Sequence, residues 1–431
     1  MGSDIKSVPA DFHAILDEWE ESNDSYFLTG KAGTGKSTLL KIFRKTTQKK
    51  IAVLAPTGMA AVQVQGQTIH SFFKLPPRLL TPSDLSKPKN WKLLKKLDAI
   101  VIDEISMVRA DLLDAIDQSL RLARGNDQPF GGLQMLLFGD VFQLPPVIST
   151  NEEKAWFDLH YNSPYFFDAH CLEHVRIHSI VLDTVYRQTD TRFIHLLDSI
   201  RHGEAGEEIL EEFNRNVGRE FGKDDIYITI CSHNYKADAI NQIRMQALPC
   251  TPRIYNAEVT GNVSVKQMPV DTILTLKEGA QVIFVKNDPR QRFVNGTLGV
   301  VTGFTEDGVI VEISNAYGKN EEIEVTAELW EIIRYKIDPS DKTRVRHEVT
   351  GSFKQIPLKP AWAITIHKSQ GQSYDRVKID LGKGAFEYGQ TYVALSRCRT
   401  FEGISLSKAL HEKDIMVDPR IVEFFESHRW S

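Results

Sequence analysis

Three short stretches of this 431-residue chain put charged and hydroxyl groups at spacings suited to a polyphosphate. Residues 30–38 read GKAGTGKST and fit G-x-x-x-x-G-K-[ST] at Gly30, Gly35, Lys36 and Ser37. Glycines let a backbone wrap phosphate with its N–H groups, so Lys31, Ala32, Gly33, Thr34 and Thr38 are expected to complete the cradle. Lys36 would reach the β and γ phosphates, and Ser37 would ligate Mg2+. Residues 101–104, VIDE, form an apolar run that delivers two carboxylates to its end. Asp103 is the candidate to hold Mg2+, directly or through water, and Glu104 to polarise an attacking water. The run FGDVFQLPPV at 138–147 brings Asp140 and Gln143 to the same edge, with Gln143 a candidate sensor of the γ-phosphate.

Such loops need strands to carry them. Apolar runs bounded by turn residues occur at 26–30, 51–58, 99–104 and 135–140, with helical spacing at 37–45 and 111–123. Strands alternating with helices imply a parallel sheet covered on both faces, an α/β domain expected over residues 1–176. Further strand-like runs at 179–188, 225–234, 376–382, 392–397 and 403–407 predict a second α/β domain built from 177–275 and 359–431. Between them, 276–358 is written in short strands with Gly and Asn turns (VNGTLGVVTG, EDGVIVEIS), which predicts a small inserted antiparallel barrel.

The net charge of −5 argues against a surface that coats nucleic acid everywhere, and leaves room for a local basic groove. The densest basic stretch is KPKNWKLLKK at 87–96, five lysines around Trp91, either such a groove or a solvated helix face. Four scattered cysteines have neither zinc-site nor disulfide spacing and are expected to be reduced and structural. No apolar run reaches membrane-spanning length and the first residues carry no signal-peptide core. The expected compartment is the cytoplasm, or the nucleus or mitochondrion in a eukaryote.

GKAGTGKST, APTGMAA (55–61), QTIHSFF (67–73), VIDEISM (101–107), GDVFQLPPV, VYRQTD (185–190), AITIHKSQGQS (363–373) and YVALSRCR (392–399), in that order, resemble the motifs of superfamily 1 helicases. They are most similar to those of the petite-integration-frequency (PIF) family of 5′-to-3′ DNA helicases, relatives of RecD. Residues 186–203, YRQTDTRFIHLLDSIRHG, resemble that family's own signature. The resemblance implies an α/β fold of two RecA-like parallel-sheet lobes, with a small wedge insertion at 74–92 in the first and an SH3-like β-barrel insertion in the second. It also implies ATP and Mg2+ as ligands, Arg187 and Arg397 as arginine fingers, and Gly371 at the nucleotide from the second lobe. Single-stranded DNA would be gripped by Thr57, Gly58 and His70 from the first lobe and by Thr365, His367 and Lys368 from the second. Phe72 stays open between a base-stacking face and a core residue. Fork and G-quadruplex DNA are the implied substrates, for a chain expected to be monomeric and to lack a long N-terminal extension. Residues 1–29 hold no glutamine, the side chain this family commonly uses to read adenine. A nucleotide-dependent switch that clamps DNA or protein without unwinding is the alternative, and such a switch needs no second-lobe arginines.

Overall fold

The computed structural model describes residues 9–427 apart from 82–85, 149, 189, 223–224, 262, 264–267, 289, 291, 315–319 and 338–344. Its first lobe contains α1 (Ala10–Glu21), β1 (Ser25–Gly30), α2 (Lys36–Thr46), β2 (Ile51–Ala55), α3 (Gly58–Gln63), β3 (Gln67–Thr68), α4 (Ile69–Phe73), α5 (Trp91–Leu94), β4 (Ala99–Ile102), α6 (Ala110–Arg124), β5 (Gln134–Phe138), α7 (Asn151–His160) and β6 (Ile177–Leu182). The six strands run in the order β3-β2-β4-β5-β1-β6, every pairing parallel. β1, β4 and β5 are buried at every position, as strands covered by helices on both faces must be. Because all strands point one way, the loops after β1, β4 and β5 open on one edge, and those loops carry the phosphate motif, VIDE and GDVFQ.

Two boundaries of the first lobe differ from the expectation. The run at 179–188 is expected in the second domain, yet β6 pairs with β1 from Ser25↔Ile177 to Gly30↔Leu182 and closes the first sheet. A half-exposed edge strand has the same apolar alternation whichever sheet it joins, so its sequence does not name its partner. The first lobe also receives the end of the chain: Ile421 and Phe424 of α12 (Pro419–Glu426) lie in its core, although the sequence predicts that 359–431 belongs to the second lobe.

Beyond β6 the chain forms α8 (Thr191–His202), α9 (Glu207–Asn214), β7 (Ile228–Cys231) and α10 (Asn234–Ala247), then the inserted strands, then β18 (Ala363–Thr365), β19 (Val377–Asp380), α11 (Gln390–Leu395) and β20 (Ile404–Leu406). The second sheet is β18-β7-β19-β20, again parallel. The run at 392–397 is helix α11 rather than a strand. All six of its residues are buried, and a helix buried on every side shows no periodicity to separate it from a core strand.

The insertion comprises β8 (Arg253–Asn256), β9 (Glu258–Gly261), β10 (Ile273–Leu276), β11 (Gln281–Phe284), β12 (Leu298–Phe304), β13 (Gly308–Ser314), β14 (Asn320–Thr326), β15 (Glu328–Ile337), β16 (Val345–Gln355) and β17 (Leu358–Pro360). It starts some twenty residues before the expected position 276, because β8 pairs with β10 and β9 with β16. A five-stranded antiparallel sheet, β14-β13-β12-β11-β17, shares a core with the β8-β10 ribbon through Leu274, Leu276, Val282 and Val311. The β15-β16 hairpin reaches back to the first lobe. There the Tyr335 hydroxyl accepts a hydrogen bond from Val53 N at 3.2 Å, and its ring meets Phe72 edge-on at 5.8 Å. Among the described residues no helix is long and apolar enough to cross a membrane. Of the wedge region expected at 74–92, residues 82–85 lie outside those described.

Candidate nucleotide site and DNA interface

The phosphate loop leaves β1 with Gly30, Gly33 and Gly35 at φ of 151°, 87° and 90°, a region where only glycine is unstrained. At Gly33 a second constraint acts: a Cβ there would stand 2.4 Å from Cβ of Arg187, and the Gly33 carbonyl accepts from Tyr186 N at 2.9 Å. The loop is therefore packed directly against the VYRQ segment. Lys36, the first residue of α2, turns its Nζ onto the carbonyls of Gly30 (2.6 Å) and Lys31 (3.0 Å). Burial lowers its pKa, opposed by Asp140 and Glu104. Ser37 and Thr38 are exposed at the mouth of the loop, and Thr34 is buried beneath it.

After β4, Asp103 and Glu104 stand side by side. Burial and the neighbouring Glu104 push the Asp103 carboxyl up to about 7, and burial also raises that of Glu104. Glu104 adopts left-handed backbone angles (φ 52°, ψ 46°), an uncommon conformation for a residue with a Cβ and a frequent mark of a functional position. Two carboxylates that are costly to ionise together, with the Ser37 hydroxyl at the mouth of the phosphate loop, make a hard-oxygen donor set that suits Mg2+. Among the described residues no group of three His, Cys, Asp or Glu could hold a metal alone, so the rest of its shell would be phosphate oxygen and water.

Asp140, just after β5, is fully buried and its carboxylate accepts from three donors: Phe142 N at 3.2 Å, Gln143 Nε2 at 3.2 Å and Arg201 Nη2 of α8 at 2.9 Å. Burial alone would raise the Asp140 carboxyl, but the Arg201 and Lys36 charges and these hydrogen bonds hold it below its ordinary value. Arg201 also lies over the Phe142 ring at 4.1 Å. Two more contacts join α8 and α11 to the phosphate loop: Lys31 Nζ to Asp198 Oδ2 at 2.5 Å, and Ala32 N donating to the buried Tyr392 hydroxyl at 3.0 Å. Sequence reasoning missed Arg201, Asp198 and Tyr392. The first two read as charges on a helix surface, and only the second lobe's placement turns them inward.

Arg397 is 1% exposed, and its donors go to Val393 O (2.9 Å), Ser396 Oγ (2.8 Å), Gln372 O (3.3 Å) and Ser369 O (3.4 Å). Arg187 Nη1 donates to Ser396 O at 3.2 Å, so the two guanidiniums are neighbours. Burial lowers both pKa values, that of Arg187 to about 9 with Arg397 as the next cause. Neither forms an ion pair with a carboxylate among the described residues, while Glu104 and Asp140 exert their fields on Arg397 from the facing lobe. Gly371 (φ 73°) precedes Gln372, and a Cβ on it would come 3.9 Å from Gln63 of α3.

That approach brings the two loops expected to grip DNA together. Thr57 caps α3, its hydroxyl accepting from Ala60 N, and Gly58 opens the helix. His70 is half-buried with Nδ1 unpartnered, and burial lowers its pKa, favouring the neutral ring. Lys368 is exposed, and His367 lies 3.5 Å from Glu387. Two expected contacts are displaced into the interior. Phe72 is 2% exposed and packs edge-on against Phe73 and Tyr335, so as a stacking face for bases it is corrected to a core residue. Thr365 is 3% exposed, and its hydroxyl serves the turn by accepting from Lys368 N at 3.4 Å, leaving no side-chain surface for a strand.

A phosphate loop on one parallel sheet, met by Arg187 from the segment after β6 and by Arg397 from a second parallel sheet's lobe, defines a two-lobe RecA-like P-loop NTPase fold. A family model described as PIF1-like helicase matches residues 8–210, and the chain belongs to that family. It is 34% identical over 425 residues to the human protein named ATP-dependent DNA helicase PIF1, a match covering 94% of this chain but only 61% of that relative. A Bdellovibrio bacteriovorus protein named ATP-dependent DNA helicase Pif1 is 32% identical over 416 residues, covering 94% of this chain and 89% of the relative. Among solved structures, unliganded Pif1 from Bacteroides sp. matches with a TM-score of 0.88 at 34% identity, covering 98% of this chain and 97% of that one. The Bacteroides protein with ADP-AlF4 also gives 0.88, at 33% identity with the same coverage, and bound to single-stranded DNA it gives 0.70 at 34%, over 97% and 96% of the two chains.

Proposed function

We propose that this chain is an ATP-driven DNA helicase that moves 5′ to 3′ along single-stranded DNA as a monomer and separates the duplex, or a G-quadruplex, ahead of it. The observation that carries the reading is the pair of neighbouring guanidiniums, part-buried Arg187 and buried Arg397, with no carboxylate partner among the described residues, near Lys36. Such cations, held by neutral acceptors, call for an anion, and a triphosphate on the glycine loop would bring one. Lys36 and the loop amides would hold the β and γ phosphates, Glu104 would orient and deprotonate the attacking water, and Gln143 would read the γ-phosphate. Ser37 and Asp103 would hold Mg2+, which neutralises phosphate charge when bound. Arg397 reaches the transferring group only by leaving its lobe-2 carbonyls, so its stabilisation of the transition state is tied to lobe movement. The same movement changes the spacing of α3 and the HKSQGQS turn, the surfaces proposed to grip the strand, and that converts hydrolysis into a step. The support for DNA as the track comes from the family and from the names borne by the relatives above.

The test is steady-state ATP hydrolysis with and without single-stranded DNA, followed by unwinding of duplexes bearing either a 5′ or a 3′ tail. Stimulation by DNA together with unwinding from the 5′ tail alone is expected. Hydrolysis indifferent to DNA would leave a nucleotide switch in place of a motor.

A further inference from the structure

The basic run at 87–96 has no role in the site just described, and its placement gives it one. Leu93 and Leu94 sink α5 into the first lobe's core, and Arg124 Nη1 ties the segment down through the carbonyls of Leu94 (3.0 Å) and Leu97 (3.1 Å). At its other end Asn90 Nδ2 donates to Phe72 O of α4 at 2.9 Å. On this fixed base Trp91 packs half-buried against the core, and the ammonium groups of Lys87, Lys95 and Lys92 stand 4.3, 5.4 and 5.7 Å from its ring centre. Lys89 is exposed beside them. None of these four lysines forms an ion pair among the described residues. Three ammoniums crowded on one indole repel each other, and the ring's quadrupole returns only about 0.5–1 kcal/mol each at exposed sites. A chain with a net charge of −5 has carboxylates to spare, and none of those described pairs with these lysines.

We propose that this platform binds the phosphate backbone of duplex DNA ahead of the fork, a role that rests on the helicase reading above. Its position favours this partner: Asn90, the residue before α5, is bonded to α4, the helix of the QTIHSFF motif, so α5 adjoins the proposed strand track. Its chemistry favours duplex over single strand. Sites for single strands offer free aromatic faces for bases to stack on, whereas the Trp91 face is covered by Lys87 and the core. Lysines are point charges without the forked geometry that reads bases, which suits a surface that must slide over any sequence.

The experiment uses the full chain with Lys87, Lys89, Lys92 and Lys95 all changed to Gln, leaving Trp91 and the buried leucines in place. Affinity for a 5′-tailed fork and for the tail alone is measured over a salt series, together with DNA-stimulated ATP turnover. The expected result is a fork affinity at least tenfold weaker and a fork log–log salt slope shallower by about 0.9 for every phosphate that is no longer neutralised, with tail affinity and ATP turnover unchanged. Restoring the charges as Arg should restore the slope. Equal losses on fork and tail would place the lysines in the single-strand track, and an unchanged fork slope would assign them to an acidic protein partner; either result overturns the proposal. Failure of the helicase reading shows separately, as wild-type ATP turnover that DNA does not stimulate.

Discussion

A guanidinium held by neutral acceptors, as Arg397 is, can transfer its donors to phosphate without breaking an ion pair, so on the function proposed above its contribution would be reserved for the moment of reaction. Arg187→Ala and Arg397→Ala are each expected to lower kcat by roughly 10³-fold with nucleotide affinity changed far less, read from steady-state and nucleotide-binding measurements. A change confined to KM would mean that neither is a finger. Base recognition belongs to the same scale. Around Gly35 the nearest side chains are the rings of Phe12 and Tyr186, and residues 1–29 hold no glutamine. Aromatic faces accept any base, whereas a bidentate amide discriminates by about 1–3 kcal/mol. GTP should therefore support DNA-stimulated hydrolysis with kcat/KM within about tenfold of ATP. A preference of roughly a hundredfold for ATP would reveal an adenine reader elsewhere. The residues of the phosphate loop and VIDE could be named from spacing because their chemistry is local. Phe72 could not be placed, since a ring beside a phosphate-binding motif looks the same in sequence whether it faces bases or Tyr335.

Among the elements, α8 joins the lobes. Its Asp198 and Arg201 take Lys31 and Asp140 of the first lobe, and both pairs lie within reach of the phosphate loop. Removing one partner of a buried pair leaves the other charge stranded, so Arg201→Ala should destabilise the chain by roughly 3–5 kcal/mol, visible as a lower thermal midpoint. It should also reduce ATP turnover more than single-strand affinity, because Asp140 and Gln143 lose their anchor while α3 keeps its cap. If turnover and DNA affinity fall in parallel, Arg201 serves general folding alone. Four strands of the first sheet, β1, β2, β4 and β5, were visible in sequence as short apolar runs ended by turn residues, because burial on both faces leaves little other composition open to them. The helical identity of α11 and the membership of β6 were hidden for the converse reason: each depends on what packs around it, and neighbours distant in sequence leave no local periodicity.

The whole molecule is bound together by returns of the chain. α12 comes back to the first lobe's core, and the β15-β16 hairpin carries Tyr335 from the insertion into that same core. Moving the barrel away from the first lobe means drawing a tyrosine ring out of hydrocarbon and giving up its bond to Val53, about 2–4 kcal/mol together. Tyr335→Phe should lose only the hydrogen-bond share, whereas Tyr335→Ala should free the barrel. The distance between fluorophores on the barrel and the first lobe would report it, broadening clearly for Ala and little for Phe; equal distributions in all three proteins would mean that other contacts hold the hairpin. Taken alone, a free-energy difference of that size would leave the hairpin undocked roughly once in thirty to a thousand glimpses of the resting molecule. The ring on which Tyr335 leans is Phe72, and Phe72 rides the helix that carries His70. A strand tugging at α4 by a fraction of an ångström would therefore change how often the far domain comes loose, a conversation conducted through two aromatic side chains.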